Sequence, residues 1–182
     1  MLFRSMNVTV AEWREKMNNL MERRQLGTIG TGTAADKVRD YSSHLSKVFI
    51  GKSVLDVGCG DGSIETLLPK GTIYHGMDAF PMREDILQGN IEDRTLAHMM
   101  GLHDTVIAFA VLDGVQDFDA AILNMKYIAQ KNIVILTGLG IPPDRYHTLQ
   151  IEWDDLSSRF TDWKTGYVEE IAPKVWLIEF KR

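Results

Sequence analysis

The stretch Val54-Leu55-Asp56-Val57-Gly58-Cys59-Gly60-Asp61-Gly62 constrains this chain most. A short apolar run carrying one aspartate meets a turn with glycine at three alternate positions, and Ser63 to Leu68 then reads as a helix. Lys52 to Val57 has the length and near-continuous apolarity of a strand buried on both faces of a parallel sheet. Glycine at 58, 60 and 62 leaves the turn without side chains, which permits a sharp strand-to-helix reversal and close approach of a ligand to the backbone. A nicotinamide dinucleotide site needs the pattern G-x-G-x-x-G. From Gly58 that register ends on Ser63, and from Gly60 on Glu65, so neither fits.

The rest of the chain reads as alternating helical and extended segments. Thr9-Val10-Ala11-Glu12 has the form of a capping box, and Val10, Trp13, Met17, Leu20 and Met21 recur at helical spacing. Residues 27–33 form a glycine-rich loop that no strand precedes, so it is not a phosphate cradle; a lid over a site is one role for it. Ala34 to Phe49 reads as a second helix, which Gly51 stops. Thr72 to Met77 is a second strand ending at Asp78, Ile86 to Gln88 a short third, and Asp104 to Ala110 a fourth. Helices are expected over Ile91 to Met100, Ala120 to Ala129 and Trp153 to Phe160, and a central strand over Lys131 to Gly138. Gly166 to Ile171 and Lys174 to Phe180 form a closing hairpin. One α/β domain over residues 1–182 follows, with residues 1–50 a helical cap and 51–182 the sheet and hairpin.

Asp78 lies twenty residues beyond Gly58, the place where a nucleoside-binding βαβ unit sets an acid against the ribose hydroxyls. A carboxylate there can accept from two vicinal hydroxyls at once. The glycine turn matches D/E-x-G-x-G-x-G through Asp56, Gly58, Gly60 and Gly62, and so resembles motif I of the class I S-adenosylmethionine-dependent methyltransferases. Val111-Leu112-Asp113-Gly114-Val115-Gln116-Asp117 is similar to the segment V-L-E-H-V-x-D that follows strand four in small-molecule members, with glycine in place of the histidine. The resemblance covers roughly Lys52 to Arg182. It implies a Rossmann-like three-layer sandwich whose mostly parallel seven-stranded sheet has an antiparallel last strand. It also implies S-adenosylmethionine as cofactor and S-adenosylhomocysteine as product. Motif I and the second strand would supply Asp56, Gly58, Cys59, Gly60, Asp78 and Ala79 to that cofactor. Asn90, at a position usually held by Asp, would accept from the adenine amino group beside the Ile91 amide, and Phe109 would flank the site.

The acceptor is less legible. Strand four is not followed by N/D-P-P-Y/F, and no Pro-Cys follows it, so amino-directed nucleic-acid and C5-cytosine chemistries lack their residues. Up to Lys52 the chain carries nine Lys/Arg against five Asp/Glu, about +4; the remainder carries eleven against twenty, about −9. An acidic body disfavours broad nucleic-acid binding. A small-molecule acceptor is favoured, while nucleic-acid and protein acceptors and the oligomeric state stay open. Asp113, His147 and Tyr41 are candidate bases or acceptor contacts by position. His98 and His103 with Asp104 are poorly spaced for a metal and read as surface residues. The lone cysteine, Cys59, rules out an internal disulfide. With no apolar run of membrane length and no signal-like start, the expected place is the cytoplasm. Two other readings are a non-catalytic nucleoside-binding module that regulates a partner, and an aminopropyltransferase. The latter usually shows Glu-x-Asp at the end of strand two, where this chain has His75-Gly76-Met77-Asp78.

Overall fold

In the computed structural model of the chain, Ser53–Val57 forms β1, with four of its five side chains buried. The structure describes residues 44–144 and 148–182, together with residues 9, 11–12, 14–15 and 18–19. The other strands are β2 (Ile73–Asp78), β3 (Leu87–Gln88), β4 (His103–Phe109), β5 (Ala129–Gly138), β6 (Lys164–Ala172) and β7 (Val175–Lys181). They join in one seven-stranded sheet in the order β3-β2-β1-β4-β5-β7-β6. β1 lies parallel to β2 and β4, β2 to β3, and β4 to β5. β7 runs antiparallel to both β5 and β6. This is the α/β sheet expected from sequence, including the reversed last strand. All seven residues of β4 are buried, as are seven of the ten in β5, because both strands are covered on two faces.

The period of two sorts the strand residues. Leu55, Val57, Val106, Ala108, Ile133 and Ile135 face one layer, where Phe118, Ile122 and Met125 pack on them. The last three belong to α2 (Phe118–Ile128), which with α1 (Arg94–Met100) and the short α3 (Trp153–Ser157) covers this side. Each such fully buried side chain contributes about 1.5–3 kcal/mol by leaving water. Val54, Ile107, Phe109, Val134 and Leu136 face the other way and are capped by Leu45, Val48 and Ile64.

The second face also carries a buried polar network. Glu179 on β7 is 1 % exposed. Its Oε1 accepts from the Phe49 amide at 3.1 Å and from Asn132 Nδ2 at 2.9 Å, and Lys181 Nζ lies 3.2 Å from its Oε2. Asn132 Nδ2 also donates to the Phe49 carbonyl at 2.7 Å, and Asn132 Oδ1 accepts from Thr105 Oγ1 at 2.6 Å. Thr105 Oγ1 in turn accepts from the Gly51 amide at 3.0 Å. Residues 49–51 are thereby fixed across β4, β5 and β7 just before β1 begins.

Several expectations shift. The helix expected after the glycine turn is a five-residue 3-10 turn, Ser63–Leu67. Its entry residue Gly62 is left-handed and supplies no side-chain cap, while Leu68, held extended (ψ 154°) before Pro69, ends it. Five residues between those two limits are too few to nucleate a stable α-helix. α1 starts at Arg94 rather than Ile91, because Asp93 caps it by accepting from the Thr95 and Leu96 amides. In the N-terminal segment the Thr9–Glu12 capping box forms: the Glu12 amide donates to Thr9 Oγ1 (3.2 Å), and Glu12 Oε2 accepts from the Thr9 amide (3.0 Å). The apolar stripe from Val10 to Met21, the glycine-rich loop 27–33 and most of the expected second helix lie outside the described residues.

Candidate functional site: the cleft at the carboxyl ends of β1, β2 and β4

β1 pairs with β2 on one side and β4 on the other, so the chain direction across the sheet reverses here. Crevices at such points, beyond the carboxyl ends of parallel strands, are where open α/β sheets bind ligands. The glycine turn builds one wall. Gly58, Gly60 and Gly62 all have positive φ, at 67°, 59° and 70°. The Gly58 and Cys59 amides donate to the Met77 carbonyl at 2.7 and 3.2 Å, which ties the turn to the end of β2. The glycines serve different ends. A Cβ on Gly58 would lie 2.3 Å from Val111 Cγ2, so this residue lets two strand ends close up. A Cβ on Gly60 would meet nothing within 4 Å, so its bare backbone faces open space.

Asp78 ends β2 and is 4 % exposed. Its Oδ2 accepts from the Gly60 amide at 2.8 Å and its Oδ1 from the Phe80 amide at 2.7 Å. The cleft it lines has an empty volume of about 690 Å³, part of it open solvent; Gly58, Ala79, Asn90, Ile91, Val111 and Val115 also line it. Ala110, at the exit of β4, lines it in a left-handed conformation (φ 54°). The charged residues of the described lining are Asp78 and Glu92, both acidic.

Glu92 was not singled out by the sequence, where it carries no signal beyond its nearness to Asn90. Its Oε2 accepts from the Gln116 and Asp117 amides at 3.1 and 2.6 Å, and its Oε1 from Asn90 Nδ2 at 3.1 Å. Its own amide donates to Asn90 Oδ1 at 3.0 Å. The turn is pinned further where Asn124 Nδ2 of α2 donates to the Ile91 carbonyl at 2.7 Å and the Asp93 amide to the Asn90 carbonyl at 2.9 Å. The Ile91 amide donates to no described residue.

The remaining expected site residues scatter. Asp56 is 1 % exposed and points to the second core face, away from the cleft lining. Tyr74 donates to its Oδ2 at 2.9 Å, and its Oδ1 has no partner among the described residues. Burial pushes its carboxyl up to about 7, against the opposing pull of the Tyr74 hydrogen bond. Burial, with Asp56 nearby, also pushes the Cys59 thiol up to about 12, so it stays protonated and unreactive. Phe109 packs in the second core layer rather than on the cleft. Asp113 contributes its carbonyl, which accepts from the Thr148 and Leu149 amides at 2.7 and 3.0 Å and anchors the segment after residue 147. Tyr41 and His147 lie outside the described residues.

His103, read from sequence as a surface residue, is buried, and its Nε2 lies 2.8 Å from His75 Nδ1. The ring centroids are 5.1 Å apart with planes at 88°, so the two nitrogens point straight at each other, as in a shared hydrogen bond. Burial and the neighbouring imidazole hold His103 below its usual pKa. His98 instead contacts Tyr127, with centroids 4.2 Å apart. No group of three or more His, Cys, Asp or Glu among the described residues is placed to hold a metal ion.

No protein-family profile and no curated protein sequence matches the chain. Solved structures do match. The 1,6-didemethyltoxoflavin-N1-methyltransferase of Burkholderia thailandensis superimposes with a TM-score of 0.70 over 98 % of this chain and 92 % of its own, at 13 % identity. The chain has the fold of the S-adenosylmethionine-dependent methyltransferases. Magnesium protoporphyrin IX methyltransferase from Synechocystis has this methyltransferase fold too, with a TM-score of 0.60 over 94 % and 90 % of the two chains at 18 % identity. So does the N-methyltransferase NodS from Bradyrhizobium japonicum, at 0.61 over 83 % and 98 % and 16 % identity. The first of these was crystallised with S-adenosylhomocysteine and the second with S-adenosylmethionine. Among the described residues no helix is long and apolar enough to cross a membrane.

Proposed function

We propose that this chain binds S-adenosylmethionine and directs methyl transfer to a small-molecule acceptor. The observation that carries the reading is Asp78. It is a buried carboxylate at the end of β2, hydrogen-bonded to the bare backbone of Gly60, at the reversal point of a methyltransferase-type sheet. Open space over Gly60 admits a ligand against the turn, and a carboxylate is the acceptor type that suits a pair of vicinal hydroxyls. Asn90 and the Ile91 amide offer an acceptor and a donor on the same cleft, and Val111 and Val115 supply apolar walls for a flat base.

A bound sulfonium cofactor supplies an activated methyl group with a neutral leaving group, so the chain needs chiefly to align the acceptor in line at about 3 Å. An acceptor that already bears a free lone pair needs no proton removed beforehand. With Asp78 and Glu92 as the charged residues of the described lining, the cleft favours neutral or cationic acceptors over phosphate-bearing ones. The named acceptors of the toxoflavin and protoporphyrin enzymes, both small molecules, support that class.

Incubating the protein with S-adenosylmethionine and a pool of small neutral and cationic amines, phenols and heterocycles tests this. Formation of S-adenosylhomocysteine that depends on the pool is the expected result. Tight cofactor binding with no turnover on any pool would favour the non-catalytic module instead, and decarboxylated S-adenosylmethionine with putrescine should yield no spermidine.

A further inference from the structure

We infer that Glu92 is a positioning residue for nucleobase recognition: it fixes the Asn90 amide so that its oxygen is presented to a 6-amino purine. The inference rests on the proposed cofactor and adds to it a residue that selects the base. Four hydrogen bonds carry it. An Asn side chain has an acceptor end and a donor end that can exchange by a half-turn. Here the exchange is blocked on both sides. The Glu92 amide can only donate, so it requires Oδ1; the Glu92 carboxylate can only accept, so it requires Nδ2. The turned-over amide would set donor against donor and acceptor against acceptor. Oδ1 keeps one lone pair beyond the bond it accepts from Glu92, and the Ile91 amide next to it has no described partner. Together they form an acceptor beside a donor, which matches the amino group and N1 of adenine and mismatches the oxo group and N1–H of hypoxanthine.

The other carboxylate oxygen of Glu92 locks this turn to the opposite cleft wall, through the Gln116 and Asp117 amides. Asp117 is also the cap of α2, accepting from the Ala120 amide at 3.0 Å. A single side chain thus orients the base-reading amide and sets the distance between the two walls. The same arithmetic explains why aspartate would be a poor replacement at position 90. Two carboxylates would face each other at the 3.1 Å contact now made by Asn90 Nδ2.

The test is a double-mutant cycle read with two ligands, S-adenosylhomocysteine and S-inosylhomocysteine. Glu92→Gln puts an amide NH2 against either the Asn90 NH2 or the two backbone amides. Asn90→Asp places like charges in contact. The pair Asn90→Asp/Glu92→Gln satisfies every partner again, since the Gln NH2 donates to the Asp while the Gln oxygen accepts from Gln116 and Asp117. Each single variant is expected to bind S-adenosylhomocysteine about tenfold more weakly with a much smaller loss for the inosyl ligand, and the double variant to return to within about threefold of wild type. Equal losses on both ligands, or no recovery in the double variant, would overturn the inference and reduce Glu92 to a brace. Wild-type protein that bound neither ligand would instead overturn the cofactor reading itself.

Discussion

At the scale of single residues, Asp56 shows how the same side chain can be legible as a motif and illegible as an environment. Its place before the glycines was plain from the sequence. Its burial, its single Tyr74 partner and its unpartnered Oδ1 were not, because they depend on which face β1 turns inward. The carboxyl is raised from its usual range to about 7, so the folded protein holds a proton there between about pH 4 and about 7 that the unfolded chain has released. Stability from this group is full below about pH 4 and is lost as pH rises through about 7, a difference on the order of 4 kcal/mol. Asp56→Asn cannot release that proton. Thermal unfolding of both proteins from pH 5 to 8 should therefore show the variant gaining on wild type as pH rises; a constant difference across that range would count against a buried, protonated Asp56. Gly58 and Gly60 teach the converse. Both were read as room for a ligand, yet a side chain on Gly58 would strike Val111, whereas one on Gly60 would meet open space. Sequence shows where a side chain is missing, and only the fold shows what occupies the space.

At the scale of elements, the strands were readable and the helices only in outline. Parallel strands buried on both faces announce themselves as apolar runs, and β1, β2 and β5 fall within about two residues of where those runs lie. Helix limits depend on caps and breakers instead. Asp93 and Asp117 fix the starts of α1 and α2 through side-chain hydrogen bonds, the first later and the second earlier than the apolar pattern suggested. The link between Gly62 and Pro69 is too short for more than a 3-10 turn. Least legible were contacts between distant elements, such as the set formed by Thr105, Asn132 and Glu179. Asn132 there satisfies the Phe49 carbonyl, Thr105 Oγ1 and Glu179 together. Asn132→Ala would leave buried polar groups short of partners and should destabilise the fold by about 2–4 kcal/mol in denaturant unfolding. Asn132→Asp should also destabilise, since it sets a second carboxylate against Glu179. A change below about 0.5 kcal/mol in the alanine variant would show that the network does not hold residues 49–51 to the sheet.

At the scale of the whole molecule, the sheet order brings Gly58, Asp78 and Asn90, at or just beyond the ends of β1, β2 and β3, to one cleft. The spacing of Asp78 from the glycine turn foretold that meeting, because a βαβ unit has few ways to close. The acceptor side had no such rule, since methyl transfer asks for alignment rather than a fixed set of reactive groups. Under the proposed function, Asp78 holds the ribose of a bound S-adenosyl ligand. Calorimetric titration of S-adenosylhomocysteine into wild type and Asp78→Asn tests it directly, with thermal unfolding confirming that both are folded. Loss of a carboxylate that accepts from two hydroxyls should cost about 2–4 kcal/mol, a weakening of roughly thirtyfold or more from micromolar affinity. Equal affinity in the two proteins, or no binding to wild type, would contradict the account.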